Sequence, residues 1–108
     1  MICMTKAKFF YKNSVLCGFL IEGHSTKDAG DDKGRALCSA VSSAAYMAAN
    51  TVTEVIGDTA RIEVEDGRMF FKAENISDKS ETVLKGLKLH LTELSKQYGK
   101  RLSVITEV

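Results

Sequence analysis

An α+β domain, with two helices over a sheet of about five strands in the order ββαββαβ, is predicted by three features of the sequence. Two segments carry apolar residues at helical spacing, and each is closed by a glycine. Five shorter segments combine β-branched and aromatic residues with alternating charge. An Asp66-Gly67 pair between two of these is a strong hairpin signal. The chain has 108 residues and no proline, repeat or low-complexity tract, so residues 1–108 read as one domain.

Residues 2–11 alternate apolar and aromatic positions with Lys6 and Lys8, as a half-exposed strand does. Lys12-Asn13-Ser14 supplies a turn, and residues 15–22 give a second strand. Residues 23–34 hold three glycines and three aspartates with no apolar residue larger than Ala29, so they form a surface loop. From Arg35 to Ile56, Leu37, Val41, Ala45, Ala48 and Val52 make one stripe amid small residues, which predicts a helix with a close neighbour. Gly57 ends it. Residues 61–65 and 68–72 flank the Asp-Gly turn. Asp78, with Glu81 three positions later, reads as an N-cap. Behind it Val83, Leu84, Leu87, Leu91 and Leu94 form a second stripe, with His90 assigned to packing on that face or its rim. The lysines at 79, 85, 88 and 96 form a solvated face, and residues 102–108 give the last strand.

Fifteen basic residues against fourteen acidic ones leave a formal charge of +1. That is too little for binding built on phosphate neutralisation, so no direct nucleic-acid partner is expected. The longest apolar run, residues 15–21, is far too short to span a bilayer, and the first residues lack a secretory pattern. Three cysteines without paired spacing predict a reduced, cytoplasmic setting. No spacing of Cys and His suits a metal site, and no cofactor is expected.

The candidates for chemistry are few. Cys3 and Cys17 fall in strands, where a thiol is a small buried hydrophobe. Cys38 instead lies in the opening turns of the first helix, where unpaired N–H groups favour an anion and offer an oxyanion hole. His24 stands at the other end of the same loop. A folded-back loop would pair imidazole and thiol as base and nucleophile.

Gly23-His24 at a strand end, a glycine-containing loop, and Cys38-Ser39-Ala40-Val41-Ser42 opening a small-residue helix resemble the bacterial ribosomal-processing cysteine proteases. The family's signature is Gly-His, a loop, and Cys-Ala-Ala-Val-Ser. The resemblance extends to chain length, element order and a leucine-rich second helix ending near a tyrosine. It implies a homodimeric cysteine endopeptidase with Cys38 as nucleophile and His24 as base. Gly23 and Ser42 would support the site. The implied substrate is the N-terminal extension of a large-subunit ribosomal protein. Two departures stand out: the loop is longer, and Arg35 occupies the position where the family has an aspartate. Asp31 or Asp32 is expected to replace that aspartate as helix cap, and Arg35 could face the thiol. The rival reading, favoured by Arg35, is a non-catalytic module that docks on ribosomal protein or RNA.

Overall fold

A computed structural model of the chain describes residues 4–23 and 30–107. Its elements are strands β1 (Thr5–Lys12) and β2 (Val15–Glu22), helix α1 (Asp32–Asn50) continued by a π-helical segment (Thr51–Ile56), and strands β3 (Ala60–Glu65) and β4 (Arg68–Ala73). Helix α2 (Asp78–Tyr98), a 3₁₀ turn (Gly99–Arg101) and strand β5 (Leu102–Glu107) complete the chain. The predicted order ββαββαβ is present in full. The strands form one mixed sheet ordered β3-β4-β2-β1-β5, with only β1 and β5 parallel neighbours. These pairings make β2 and β3 run the same way, and likewise β4 and β5. Each helix is therefore a crossover between strands of like direction.

A row of side chains across the middle of the sheet fixes its register. Phe9 lies opposite Phe19, and Phe19 opposite Phe71. Phe19 and Phe71 stack with centroids 5.2 Å apart, while Phe9 tilts against Phe19 at 6.2 Å. All three rings are fully buried. Burying each contributes about 1.5–3 kcal/mol, and each ring pair about 0.5–1.5 kcal/mol more. Leu37, Val41, Ala45, Ala48 and Val52 of the first helical stretch and Leu84, Leu87 and Leu91 of α2 close the same core. The small residues of α1 do have a close neighbour, which is α2.

Several local details differ from the sequence reading. Helix α1 starts three residues early, and the last six residues of the predicted helix, Thr51–Ile56, widen into a π-helix. There the Thr51 and Thr53 hydroxyls donate to the carbonyls of Met47 and Ala49, at 2.7 and 3.1 Å, and so compete with the regular ladder. Gly57, with φ of 91°, ends the segment. The cap of α2 is Ser77 rather than Asp78, its hydroxyl accepting from the Ser80 amide at 3.3 Å. Glu81 is consequently released from the predicted capping role. It accepts instead from the Leu16 amide at 2.9 Å. That amide is left over because β2 bulges: Phe10 faces Gly18, Tyr11 faces Leu16, and Cys17 is the extra residue. Cys17 is buried, as expected of a strand thiol, and Cys3 lies outside the described residues. His90 is exposed, because Leu84, Leu87 and Leu91 take the buried stripe and position 90 turns outward. Lys88 is more than solvated: its ammonium donates to the Tyr11 hydroxyl at 3.0 Å and sits 4.8 Å from that ring's centre.

Asp58 ties the end of the first helical segment to the start of the second. Its Oδ2 accepts from the Ser77 amide at 3.0 Å and from the Ser77 hydroxyl at 2.7 Å. The Ser80 hydroxyl, together with these Ser77 groups, holds the Asp58 carboxyl below the usual carboxylate range. Among the described residues the buried Ser80 Oγ itself has no partner in full hydrogen-bond geometry. The two Ser77 bonds are the contacts in full hydrogen-bond geometry. A depressed folded pKa stabilises the native state above the unfolded value of about 4, and that contribution is lost as pH falls through the folded value. Asp58→Asn should therefore lower the thermal midpoint near neutrality. Circular-dichroism melts should show its gap to the parent narrowing on acidification below about pH 4. A gap independent of pH would refute the assignment.

Candidate active site

Because β2 and β3 run in the same direction, their C-terminal ends meet at one end of the sheet. There β2 runs out into Gly23, whose φ is 98° and whose amide donates to the Gly67 carbonyl in the β3–β4 turn at 2.8 Å. A Cβ on residue 23 would lie 2.3 Å from the Met4 carbonyl oxygen, so only glycine fits. Helix α1 begins beside this junction. The space between is a cleft of about 280 Å³, with Cys38, Ser42 and Tyr46 on the helix side and Val64 to Met69 on the hairpin side. Cys38 is half-buried in its wall, and Ser42 and Tyr46 follow at four-residue intervals along the same helix face. Glu65, Asp66 and Arg68 make the hairpin rim polar, whereas Val64 and Met69 keep the interior apolar.

The helix start shows how the chain copes with Arg35. Asp31 is the N-cap: Oδ1 accepts from the Gly34 amide at 3.1 Å, and its carbonyl accepts from the Arg35 amide at 3.1 Å. Its other carboxylate oxygen accepts from Arg101 Nη1 at 2.5 Å, which ties the helix start to the turn before β5. Asp32 is the first helical residue, exposed, and ion-paired with Arg35. With the cap at 31, Cys38 lies in the second turn of α1. Its amide falls within the helical ladder, roughly 9 Å along the axis from the first free N–H groups. Helix-start amides therefore do not form an oxyanion hole at Cys38, contrary to the sequence expectation. Arg35 is likewise engaged by Asp32.

Of the site residues singled out in the sequence, Cys38, Ser42 and Gly23 line the one cleft, and Asp31 anchors the helix that carries the thiol. Asp32 and Arg35 pair on the surface. His24 lies outside the described residues. Tyr46, Val64 and Arg101 were not singled out. Tyr46 was legible as the next member of the Cys38–Ser42 spacing, whereas Val64 and Arg101 arrive from distant segments. Among the described residues no three His, Cys, Asp or Glu side chains converge to hold a metal, and no helix is long and apolar enough to cross a membrane.

A family model described as cysteine protease Prp matches residues 4–103. The fold is similar to crystal structures of the ribosomal processing protease Prp from Staphylococcus aureus. With a substrate peptide, that protein aligns at a TM-score of 0.85 and 13% identity over 96% of this chain and 100% of the other. With a covalently linked product peptide it aligns at 0.84 and 14%, with the same coverage. SMU.848 from Streptococcus mutans aligns at 0.81 and 21% identity, covering 96% of this chain and 99% of its own. No curated protein sequence matches significantly.

The cap geometry separates the two neighbouring aspartates. Asp31→Ala should lower the unfolding free energy by about 1 kcal/mol or somewhat more, since a cap and a half-buried ion pair are lost together. Asp32→Ala, which removes only a surface pair, should change it by less than about 0.5 kcal/mol. Urea titrations of both variants check this, and equal effects would contradict the cap assignment.

Proposed function

The chain belongs to the cysteine protease Prp family, and from that premise we propose that it removes the N-terminal extension of a large-subunit ribosomal protein, with Cys38 as nucleophile and His24 as base. The observation that carries the reading is the position of Cys38. It is half-buried in the wall of a cleft that is open along Ser42 and Tyr46, so a peptide carbonyl can reach the sulfur. The Staphylococcus aureus relatives, ribosomal processing proteases holding substrate and product peptides, supply the substrate class. His24 follows directly in the chain on Gly23, which lines this cleft. In the proposed reaction it takes the Cys38 proton, and the thiolate attacks the scissile carbonyl. The tetrahedral intermediate collapses as His24 returns the proton to the leaving amine. Water, deprotonated by the same imidazole, then hydrolyses the thioester and frees the thiol.

Ser42, one turn beyond Cys38, supports the peptide at the cleft wall, and Asp31 supports the site by fixing the helix start. The Arg35 departure, which favoured a non-catalytic module, is absorbed by starting the helix one turn earlier. The proposed setting is the cytoplasm, with a second copy of the chain as partner on the strength of the family resemblance.

Cleavage of an extension peptide, followed by mass spectrometry, tests the chemistry. Cys38→Ala should abolish it, and Cys38→Ser should be nearly inactive, because a hydroxyl is far less acidic than a thiol. His24→Ala should lose about 10²- to 10⁴-fold in kcat. Cys17→Ala should cleave normally while losing about 1 kcal/mol of stability. Cleavage by Cys38→Ala, or an inactive Cys17→Ala, would overturn the assignment. Sedimentation should give a species of twice 11.8 kDa at micromolar concentration. A monomer alone would remove the dimer.

A further inference from the structure

Strand β3 is a sheet edge that the helices leave bare. Its register with β4 shows which of its backbone groups β4 leaves unpaired, and among the described residues no further strand pairs with it. The Glu74 amide donates to the Thr59 carbonyl at 3.1 Å, so 59 and 74 are a hydrogen-bonded pair. The same two-residue alternation makes 61 with 72, 63 with 70 and 65 with 68 the bonded pairs. Ala60, Ile62 and Val64 therefore point their amides and carbonyls away from β4, along the open edge. Their side chains lie on the core face of the sheet, because Ile62 is opposite Phe71 and Val64 opposite Met69, both buried. They extend two rows of the core beyond the cover of the helices: Phe9–Phe19–Phe71–Ile62 and Ala7–Ile21–Met69–Val64. Yet Ile62 is 42% exposed and Val64 51%, and Tyr46 on the facing helix is 44% exposed. At the opposite edge of the sheet, Leu102 of β5 is buried and Val104 half-buried beneath α2.

An open edge with exposed apolar side chains is a template for another strand, and folded proteins ordinarily blunt such edges. This one is continuous with the Cys38 cleft, since Val64 and Tyr46 belong to both. We propose that the substrate segment docks as a sixth strand on the free edge of β3, pairing its backbone with Ile62 and Val64. Its alternate side chains then fall into the trough between Ile62, Val64 and Tyr46, and its scissile end enters the Cys38 cleft. The occupant is an extended peptide with apolar residues at every second position. This inference rests on the protease reading for its substrate. It adds a docking surface lying beyond the reacting groups.

The test removes the outward amides one at a time. Ile62→Pro and Val64→Pro delete an edge N–H that makes no bond to β4, a place where sheets accept proline. Each should raise KM for the extension peptide by about 3- to 10-fold, the worth of one hydrogen bond, and Ile62→Pro, outside the Cys38 cleft, should keep kcat within about twofold. In Ile62→Pro the rate of Cys38 alkylation by iodoacetamide should stay unchanged, showing that the site itself is intact. Unaltered KM in both folded variants would overturn the proposal. Loss of dimerisation with unaltered KM would overturn it too, and would assign the edge to a second copy of the chain. If a proline variant fails to fold, the unsubstituted protein is used with peptides N-methylated at single successive amides. Weakening that alternates with period two supports strand pairing, and uniform effects refute it. Should the protein cleave nothing, binding of a fluorescent extension peptide to Cys38→Ala still decides the matter. The period-two pattern in that anisotropy titration upholds the docking mode even though the protease reading has failed.

Discussion

The close approach at Gly23 is the constraint on which the site depends. Three backbone segments meet there: the start of β1 at Met4, the end of β2, and the β3–β4 turn at Gly67. No side chain fits between the Met4 carbonyl and residue 23, and the positive φ turns the chain out of the sheet. A side chain at position 23 would drive the start of β1 at Met4 away from the end of β2 and disturb the cleft beside it. The glycine of the Gly23-His24 pair is thus explained by packing.

The other wall of the cleft depends on electrostatics at the helix start. Asp31 serves two masters through its two carboxylate oxygens, the Gly34 amide and the Arg101 guanidinium. Capping orients the first turn of α1, and the ion pair sets that turn against the segment leading into β5. Because β5 pairs in parallel with β1, and β1 carries Met4 into the glycine junction, both walls are referenced to the same strand. A longer loop and an arginine three positions before the thiol are compatible with this arrangement, since the cap has simply moved back along the chain.

Helix α2 contributes rigidity at a distance. Glu81 satisfies the Leu16 amide freed by the bulge in β2, and Asp58 joins the end of the first helical segment to the Ser77 cap. These contacts, with the Phe9–Phe19–Phe71 row, lock the central strands, while among the described residues the apolar side chains of β3 at Ile62 and Val64 lie beyond helical cover. The apolar face of that flank and the cleft that begins beside it form a single surface.

Periodicity and punctuation sufficed for the element order, the two helical stripes, the Asp66-Gly67 hairpin and the glycine terminators at 57 and 99, because each depends on residues near one another in the chain. Cys38 was legible for the same reason, since a small-residue helix opening after a loop is a local pattern, whereas Gly23 and Ser42 were singled out by the resemblance to the protease family. What depended on distant partners was not. The choice of Asp31 over Asp32 as cap was made by Arg101, seventy residues away, and the release of Glu81 from its capping role was made by a bulge sixty-five residues before it. The π-helical end of the first helix came from threonine hydroxyls competing for carbonyls, which a stripe of apolar residues does not record. Strand order, and with it the bare edge of β3, was likewise decided in three dimensions, because a strand's own sequence states which face is apolar but not which neighbours will cover it.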